Sequence, residues 1–168
     1  YGYDNIPARK MTEDLQFLPA YETKIDLNRL RAVLVDNGYQ EAITYSFVNP
    51  EYEKKLILQQ HPLKLLNPIS TELSIMRTNH WPGLIEAYRY NIHRQQPRIR
   101  LFEIGLCFLN EHNGLKQQLR LGGLCAGPLY TEQWGESKRT SDFYDVKGDV
   151  ERLLAAAGRT DAHFEPYE

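Results

Sequence analysis

The first strong pattern of apolar residues in the chain predicts an amphipathic helix. Leu27, Leu30 and Leu34 recur at the i, i+3, i+7 spacing that places side chains on one helix face. Asp26, or Thr23 one turn earlier, can cap the start of this helix by accepting hydrogen bonds from free backbone N–H groups. Gly38 can end it, because glycine takes a positive φ at little cost. We therefore expect a helix of about three turns between Asp26 and Gly38.

A strand is predicted directly after this helix, because the period of the pattern changes from 3.6 to 2. Ile43, Tyr45 and Phe47 alternate with the smaller Ala42 and Thr44. A helix that runs straight into a strand needs neighbours on both sides. We expect the rest of the chain to pack around this helix–strand corner.

The remaining elements follow from the same two periods. We predict a short helix at 51–58, a helix from residue 79 to 92, strands at 99–109 and 120–126, and a last helix at 143–157. A polar loop at 110–116 joins the two strands into an antiparallel hairpin, and residues 163–167 start one further strand. Strands and helices do not alternate strictly, so the fold class is α+β with a mostly antiparallel sheet flanked by helices.

Two side-chain patterns predict which faces are buried. In the first hairpin strand, Phe102 and Ile104 lie on one face and Glu103 on the other. In the last helix an apolar face faces the core and an acidic face is solvated. The apolar face comprises Phe143, Val146, Val150, Leu153 and Leu154, and the acidic one Asp142, Asp145, Asp149 and Glu151.

Composition places the chain among soluble globular proteins. It has 168 residues, 42% hydrophobic and 25% charged, with a net charge of -2. That charge gives no overall field that would attract nucleic acid or an anionic membrane. Cys107 and Cys125 lie in apolar runs, which favours two buried thiols in a reducing cytoplasm.

The familiar signatures of catalysis are missing. The histidines and cysteines lack the short spacings of a zinc site. The chain carries neither a G-x-S-x-G nucleophile elbow nor a glycine-rich phosphate loop. The glycines of 121–127 lie within a strand pattern, where they mark a bulge or a close approach of another chain segment.

Two sets of charged residues leave alternatives open. Glu103 lies in an apolar strand, so it is either paired, exposed at an edge, or a ligand contact, and Arg77 or Arg100 could be its partner. The arginines Arg89, Arg94, Arg98 and Arg100 are either a solvated face, a protein contact or an RNA-binding surface.

Five stretches together resemble the β subunit of bacterial phenylalanyl-tRNA synthetase. They are YGYDNIP, GYQEAITYSFVNP, LLNPISTELSIMRT followed by PGL, LFEIGLCF and FYDVKGDVE, and they cover most of residues 1–158. The resemblance implies the tail of a preceding module at 1–22. It also implies that residues 23–168 form a core domain with the fold of a class II synthetase catalytic core, incomplete at the C-terminus.

The chain departs from active class II patterns at three points, and these imply a degenerate core. Tyr45 stands where the first class II motif has a proline, and Leu101 where the second has an arginine that binds the ATP phosphate. The third motif, which is rich in glycine and ends in arginine, is absent. Without a cationic clamp on phosphate, the segment is not expected to activate an amino acid.

The resemblance implies instead a scaffold within a cytoplasmic phenylalanine–tRNA ligase. Its partners would be the α subunit, a second αβ pair in a heterotetramer, and tRNA-Phe through the whole enzyme. ATP and Mg²⁺ would be used by the whole enzyme and not by this segment. We expect the interface at Leu27, Leu30, Leu34 and Tyr45, a polar contact at Arg77 and Glu103, and an RNA contact, if any, at Arg94 and Arg98.

Two alternatives come from other functional classes. A free-standing adenylate-forming ligase of class II type would bind ATP near Glu103. An RNA-binding module would retain tRNA through the arginines, with binding that weakens steeply as salt rises.

Overall fold

A computed structural model describes residues 2–8, 25–56, 62–111 and 114–166 of the chain. The helices are α1 (Leu27–Asp36), α2 (Pro50–Leu56), α3 (Trp81–Ile92) and α4 (Phe143–Ala156). The strands are β1 (Gln40–Glu41), β2 (Phe47–Val48), β3 (Ile75–Met76), β4 (Ile99–Glu111) and β5 (Gly114–Ala126). Short 3-10 turns lie at Tyr3–Asn5 and Thr71–Leu73. This is the predicted α+β arrangement.

A long hairpin of β4 and β5 forms the centre of the domain. The two strands pair antiparallel from Ile99 opposite Ala126 to Glu111 opposite Gly114. On the other edge of β4, β1 pairs parallel, with Gln40 opposite Leu101. The three strands lie in the order β1-β4-β5, and β2 and β3 form a separate antiparallel pair.

Helix α1 begins and ends where the sequence predicts. The Asp26 side chain accepts a hydrogen bond from the backbone N–H of Asn28 at 2.9 Å. Gly38 has a φ of 79° and turns the chain, so that the Tyr39 N–H can reach the carbonyl of Leu34 at 3.0 Å. The helix thereby delivers the chain directly to β1.

Strand β4 is covered on both faces, which explains why its first five residues are all buried. On one face Phe102 packs with Leu34 and Tyr39, and α1 contacts α4 there. On the other face Leu101 packs with Leu84 of α3. The sheet is therefore the middle layer of three in this part of the domain.

The single strand predicted after α1 is wrong. Gln40 and Glu41 pair with β4, the Ala42 N–H still donates to the Phe102 carbonyl at 2.7 Å, and the chain joins the other sheet at Phe47. Between them the backbone N–H of Thr44 donates to the Glu103 carboxylate at 3.3 Å instead of to a neighbouring strand. The side chain of Glu103 thus ends the ladder, and Ile43 and Tyr45 are left exposed.

The loop predicted for the hairpin is too long. Residues 110, 111 and 114–116 are paired within the strands, and two residues, 112 and 113, join them. Those two residues lie outside the described part of the chain. The polar composition of this end reflects exposed strand, because its side chains are not covered by a helix.

The predicted orientation of α4 is only partly right: Leu153 packs against the core, and Asp142 and Glu151 are exposed, as predicted. Asp149, assigned to the solvated face, is buried, whereas Phe143 and Val146 of the apolar face are exposed. Asp149 accepts hydrogen bonds from Tyr39 at 2.9 Å and from Arg100 at 3.2 Å. Two buried donors, Tyr39 just before β1 and Arg100 of β4, thus hold the helix by the Asp149 carboxylate through charge-assisted hydrogen bonds.

Two further predictions concern the ends of the chain. Residues 163–166 form no strand in the part of the chain that is described. The predicted domain boundary at residues 22 and 23 lies outside the described ranges, and it stays a prediction.

We expect Asp149→Ala to lower the free energy of unfolding by about 3–5 kcal/mol, because it leaves Arg100 buried without its carboxylate. The measurement is urea unfolding. Asp161→Ala is the matched control, because it removes an exposed carboxylate paired with Arg159. Equal unfolding midpoints for the two variants would contradict the role given to Asp149.

Candidate functional site

A buried ion pair between Arg77 and Glu103 lies on the α3 side of the sheet. Arg77 Nη1 donates to Glu103 Oε1 at 2.5 Å, and the two side chains are 5% and 4% exposed. Of the two partners left open by the sequence, the structure selects Arg77. Arg100 lies on the opposite face of β4 with Asp149, as the alternation of side chains along a strand requires.

Thr44 completes this pair, and the sequence did not reveal it. Its hydroxyl donates to Glu103 Oε2 at 2.7 Å, and its oxygen accepts from Arg77 Nη1 at 3.2 Å. Arg77 Nε also donates to the backbone carbonyl of Leu106 at 3.0 Å. The carboxylate and the guanidinium therefore both have their charges satisfied within the domain.

His80 lies beside the pair with one of its ring nitrogens committed to the backbone. Its Nε2 is 3.0 Å from the carbonyl oxygen of Arg120, which assigns the proton to Nε2. Its Nδ1 lies 3.8 Å from Glu103 Oε2. Burial lowers the pKa of His80, and the charge of Arg77 lowers it further. His80 is thus a neutral donor to Arg120 at neutral pH.

Cys107 and His80 are neighbours but do not form a nucleophile and its base. Cys107 Sγ is 3.8 Å from His80 Nε2, the nitrogen that donates to Arg120. Burial raises the pKa of the Cys107 thiol, which keeps it protonated. A thiolate nucleophile needs the opposite shift.

A second buried carboxylate, Glu53 of α2, continues this polar layer. It accepts hydrogen bonds from both the backbone N–H and the hydroxyl of Thr78. The carbonyl of Thr78 accepts from Arg120 at 3.0 Å. This link ties α2 and β5 to the segment that begins α3, and the sequence did not reveal it.

Two glycines give the buried side chains their room. A Cβ on Gly105 would overlap the guanidinium of Arg77, and a Cβ on Gly122 would lie 2.9 Å from the Cβ of His80. The close approach predicted from the strand glycines is confirmed at Gly122. The sheet face near Glu103 is therefore occupied by side chains of the domain itself.

Because side chains of the domain fill this sheet face, little room remains there for an external ligand. Three cavities of about 310, 550 and 470 Å³ open on the described surface, and none of these three is lined by Arg77, His80 or Glu103. Leu101, two residues before Glu103, is buried in an apolar cluster. Within the described residues, no group of three or more histidine, cysteine or acidic side chains could hold a metal ion.

The residues expected at an interface differ widely in how much of each side chain is exposed. Leu34 is 3% exposed and belongs to the core, so the prediction that it faces a partner must be corrected. Leu27 and Leu30 are half-buried. Tyr45 is 74% exposed and its neighbour Ile43, which the sequence did not single out, is 93% exposed.

The four arginines considered for RNA do not form one cluster. Arg100 is buried in the ion pair with Asp149, and Arg89 donates to the hydroxyl of Tyr52 at 3.0 Å. Arg94 is exposed, and Arg98 is half-buried where β4 begins. Arg89, Arg94 and Arg98 remain at the surface, and of these Arg89 is engaged with Tyr52.

Each described helix is too short or too polar to cross a membrane.

A family model described as the phenylalanyl tRNA synthetase beta chain CLM domain matches residues 6–168. The phenylalanine–tRNA ligase beta subunit of Coxiella burnetii is 48% identical over 164 residues, which cover 98% of this chain and 21% of that protein. The corresponding subunit of Pseudoalteromonas translucida is 51% identical over 158 residues, 92% of this chain and 20% of that protein. The chain thus spans about a fifth of the length of these relatives.

Solved structures show the same fold at much lower identity. A pyrrolysyl-tRNA synthetase from Desulfitobacterium hafniense superposes with a TM-score of 0.56 at 18% identity, covering 79% of this chain and 45% of that one. A second structure of that enzyme gives a TM-score of 0.55 at 21% identity, covering 80% and 46%. The fold is that of class II tRNA synthetases.

We expect Glu103→Ala to lower the free energy of unfolding by about 3–5 kcal/mol, because Arg77 would remain buried without a partner. Glu111→Ala is the matched control, since it removes an exposed carboxylate from the same strand. Replacing both partners by apolar residues, Arg77→Met with Glu103→Leu, should recover part of the loss. Urea unfolding measures all three variants, and a Glu103→Ala protein as stable as the control would contradict a buried pair.

The pH dependence of stability should report on His80. Its pKa in the folded protein lies below the ordinary value of 6.5, so the unfolded chain binds the proton more readily. Stability is therefore fully present above about pH 6.5 and falls as the pH drops below it, by at most about 1.4 kcal/mol per pH unit. His80→Gln should flatten this slope between pH 6.5 and 5, whereas the exposed His93→Gln should not. Parallel slopes in denaturant titrations of the two variants would contradict the assignment.

Proposed function

The chain belongs to the phenylalanyl-tRNA synthetase β-chain family, and we propose that it is the non-catalytic assembly domain of a phenylalanine–tRNA ligase. The whole enzyme would charge tRNA-Phe with phenylalanine at the expense of ATP in the cytoplasm. In this proposal residues 1–22 belong to a preceding module and residues 23–168 to a core domain.

The proposal of a non-catalytic role is supported by one observation. Side chains of the domain itself fill the sheet face around Glu103. Arg77 and His80 lie against Gly105 and Gly122, where a substrate would need open space. The Glu103 carboxylate already accepts hydrogen bonds from Arg77 and Thr44, so few of its lone pairs remain for a ligand.

The residues on this face also do not fit a nucleotide phosphate. The position two residues before Glu103 is Leu101, which packs against Leu84 and Ile99 and offers no charge. The nearest cation, Arg77, is committed to Glu103. Preorganised positive charge on the phosphate is the largest electrostatic requirement of such chemistry. ATP and Mg²⁺ are therefore assigned to the α subunit, and a free-standing ligase is disfavoured.

The assembly role rests on the exposed apolar corner after β1. Ile43 and Tyr45 have large side chains that the domain leaves uncovered. Tyr45 also lines the cavity of about 310 Å³, together with Phe47, Pro82 and Tyr90. An exposed aromatic beside an apolar cavity is typical of a protein interface. We assign this corner, with the half-buried Leu27 and Leu30 of α1, to contact with the α subunit and, through it, to a heterotetramer of two αβ pairs.

We expect the double variant Ile43→Asp and Tyr45→Asp of the full-length β subunit to lose assembly with α while remaining folded. Both side chains are exposed, so charge there disturbs the interface and not the core. Leu115→Asp is the matched control, because Leu115 is exposed at the far end of the hairpin. Size-exclusion chromatography with light scattering gives the assembly state, and circular dichroism the fold.

A second version of this experiment removes the domain altogether. A β subunit that lacks this domain should fail to form active enzyme with α. Phenylalanine charging by a complex assembled without the domain would overturn the proposed function.

A further inference from the structure

The chain segment between α3 and β4 carries positive charge without acidic partners. From residue 89 to 98 the sequence contains three arginines and no acidic residue. Arg94 donates to the carbonyl of Tyr90 at 3.1 Å and lies over its ring, 3.3 Å from the centroid. Arg98 donates through Nε to the carbonyl of Leu129 at 3.1 Å. Among the described residues neither guanidinium has a carboxylate partner, in contrast to Arg77 and Arg100. We call residues 94–98 the arginine corner.

A loop with exposed aromatic side chains is fixed to this corner. It runs from residue 127 to 141, and we call it the aromatic loop. Its two ends are joined by hydrogen bonds from Leu129 to Arg139 and from Ser141 to Gly127, both at 3.0 Å. Gly127 has a φ of 87°, and a Cβ there would collide with the carbonyl of Pro97. The loop is thus closed on itself and packed tightly on the arginine corner.

The aromatic loop presents its two aromatic side chains outward. Trp134 is fully exposed and Tyr130 is about half exposed. Other aromatic side chains, such as Tyr3 and Phe143, are also exposed. Trp134 and Tyr130 are singled out because they lie on the loop that is packed against the arginine corner.

A cavity of about 550 Å³ lies between the loop and the corner. Gln96, Pro97 and Arg98 line one side, and residues of the loop, Tyr130 among them, line the other. This volume is within the range of small-molecule sites, about 300–1,000 Å³, and admits one base.

The acidic residues of the loop do not cancel the charge of the corner. Glu132 pairs with Lys138 at 2.5 Å, so the two neutralise each other. Arg139 is paired with Asp145 of α4 at 2.7 Å. Glu136 is the acidic side chain on the cavity wall without an ion pair among the described residues. Arg94 and Arg98 outnumber this one unpaired carboxylate, so the surface keeps one net positive charge.

We propose that the arginine corner and the aromatic loop form a binding surface for single-stranded RNA. The two guanidinium groups contact phosphates, and bases stack on Tyr130 and Trp134, the combination by which proteins hold unpaired nucleic acid. This inference rests on the proposed function, which supplies the RNA as an unpaired part of a tRNA. The exposed aromatics alone would equally fit a protein partner, and the unpaired arginines favour RNA.

The test measures binding of a labelled tRNA-Phe transcript to the full-length β subunit assembled with α, over a range of salt concentrations. Arg94→Ala with Arg98→Ala should weaken binding and reduce the slope of log K against log salt by about 1.4–1.8, as expected for two lost phosphate contacts. Trp134→Ala should weaken binding about 5- to 100-fold through lost stacking. Arg159→Ala and Tyr3→Ala are the controls for charge and for an exposed aromatic, and should bind as the unaltered protein does.

The outcomes separate this inference from the proposed function. Affinities within twofold of the controls together with an unchanged salt slope, in an assembled enzyme that still charges tRNA, would overturn the RNA surface alone. Loss of assembly with α in Trp134→Ala would identify a protein contact and likewise overturn it. Failure of the unaltered β subunit to assemble with α would overturn the proposed function, and RNA binding would then be scored on the β subunit by itself.

Discussion

The structure depends above all on the buried pair between Arg77 and Glu103. Neither charge could remain in the interior without the other, since an unpaired buried ion costs several kcal/mol. The pair therefore fixes the relative positions of three segments: the end of β3, the middle of β4 and, through Thr44, the chain that leaves β1. The end of the β1 ladder, the exposure of Ile43 and Tyr45, and the filling of the sheet face all follow from this one contact.

Strand β4 carries a second ion pair of the same kind on its other face. Arg100 holds Asp149 there, as Glu103 holds Arg77, and the two pairs lie three residues apart on opposite sides. A central strand that is apolar on both faces would pack against any amphipathic helix. The two charged pairs instead specify which segments lie on each side, and they set the rotation of α4 about its axis. Buried charges in this domain thus contribute more to the choice of arrangement than to stability itself.

Local patterns in the sequence were sufficient to predict the helices and the long hairpin. The capped helix α1, its end at Gly38 and the opposite faces of Phe102 and Glu103 each depend on neighbours within a few residues, and the structure confirms them. The predictions that were wrong depend on distant partners. The strand through Tyr45 is broken by Glu103, 58 positions along the chain from Tyr45, and α4 is turned by Arg100, 49 positions before Asp149. Thr44 and His80 were missed for the same reason, because single polar residues gain their role only when the fold brings their partners to them.

The glycines opposite Arg77 and His80 have a consequence for how this domain could change. An arginine at Leu101 would add a second cation to a face with one carboxylate, Glu103, which Arg77 already occupies. Removing Arg77 first would leave Glu103 buried without its cationic partner and would leave a void above Gly105. Each of these single substitutions therefore gives a less stable protein. Several residues would have to change together before the buried charges were paired again. Single substitutions on this face of the sheet therefore do not open it to a ligand.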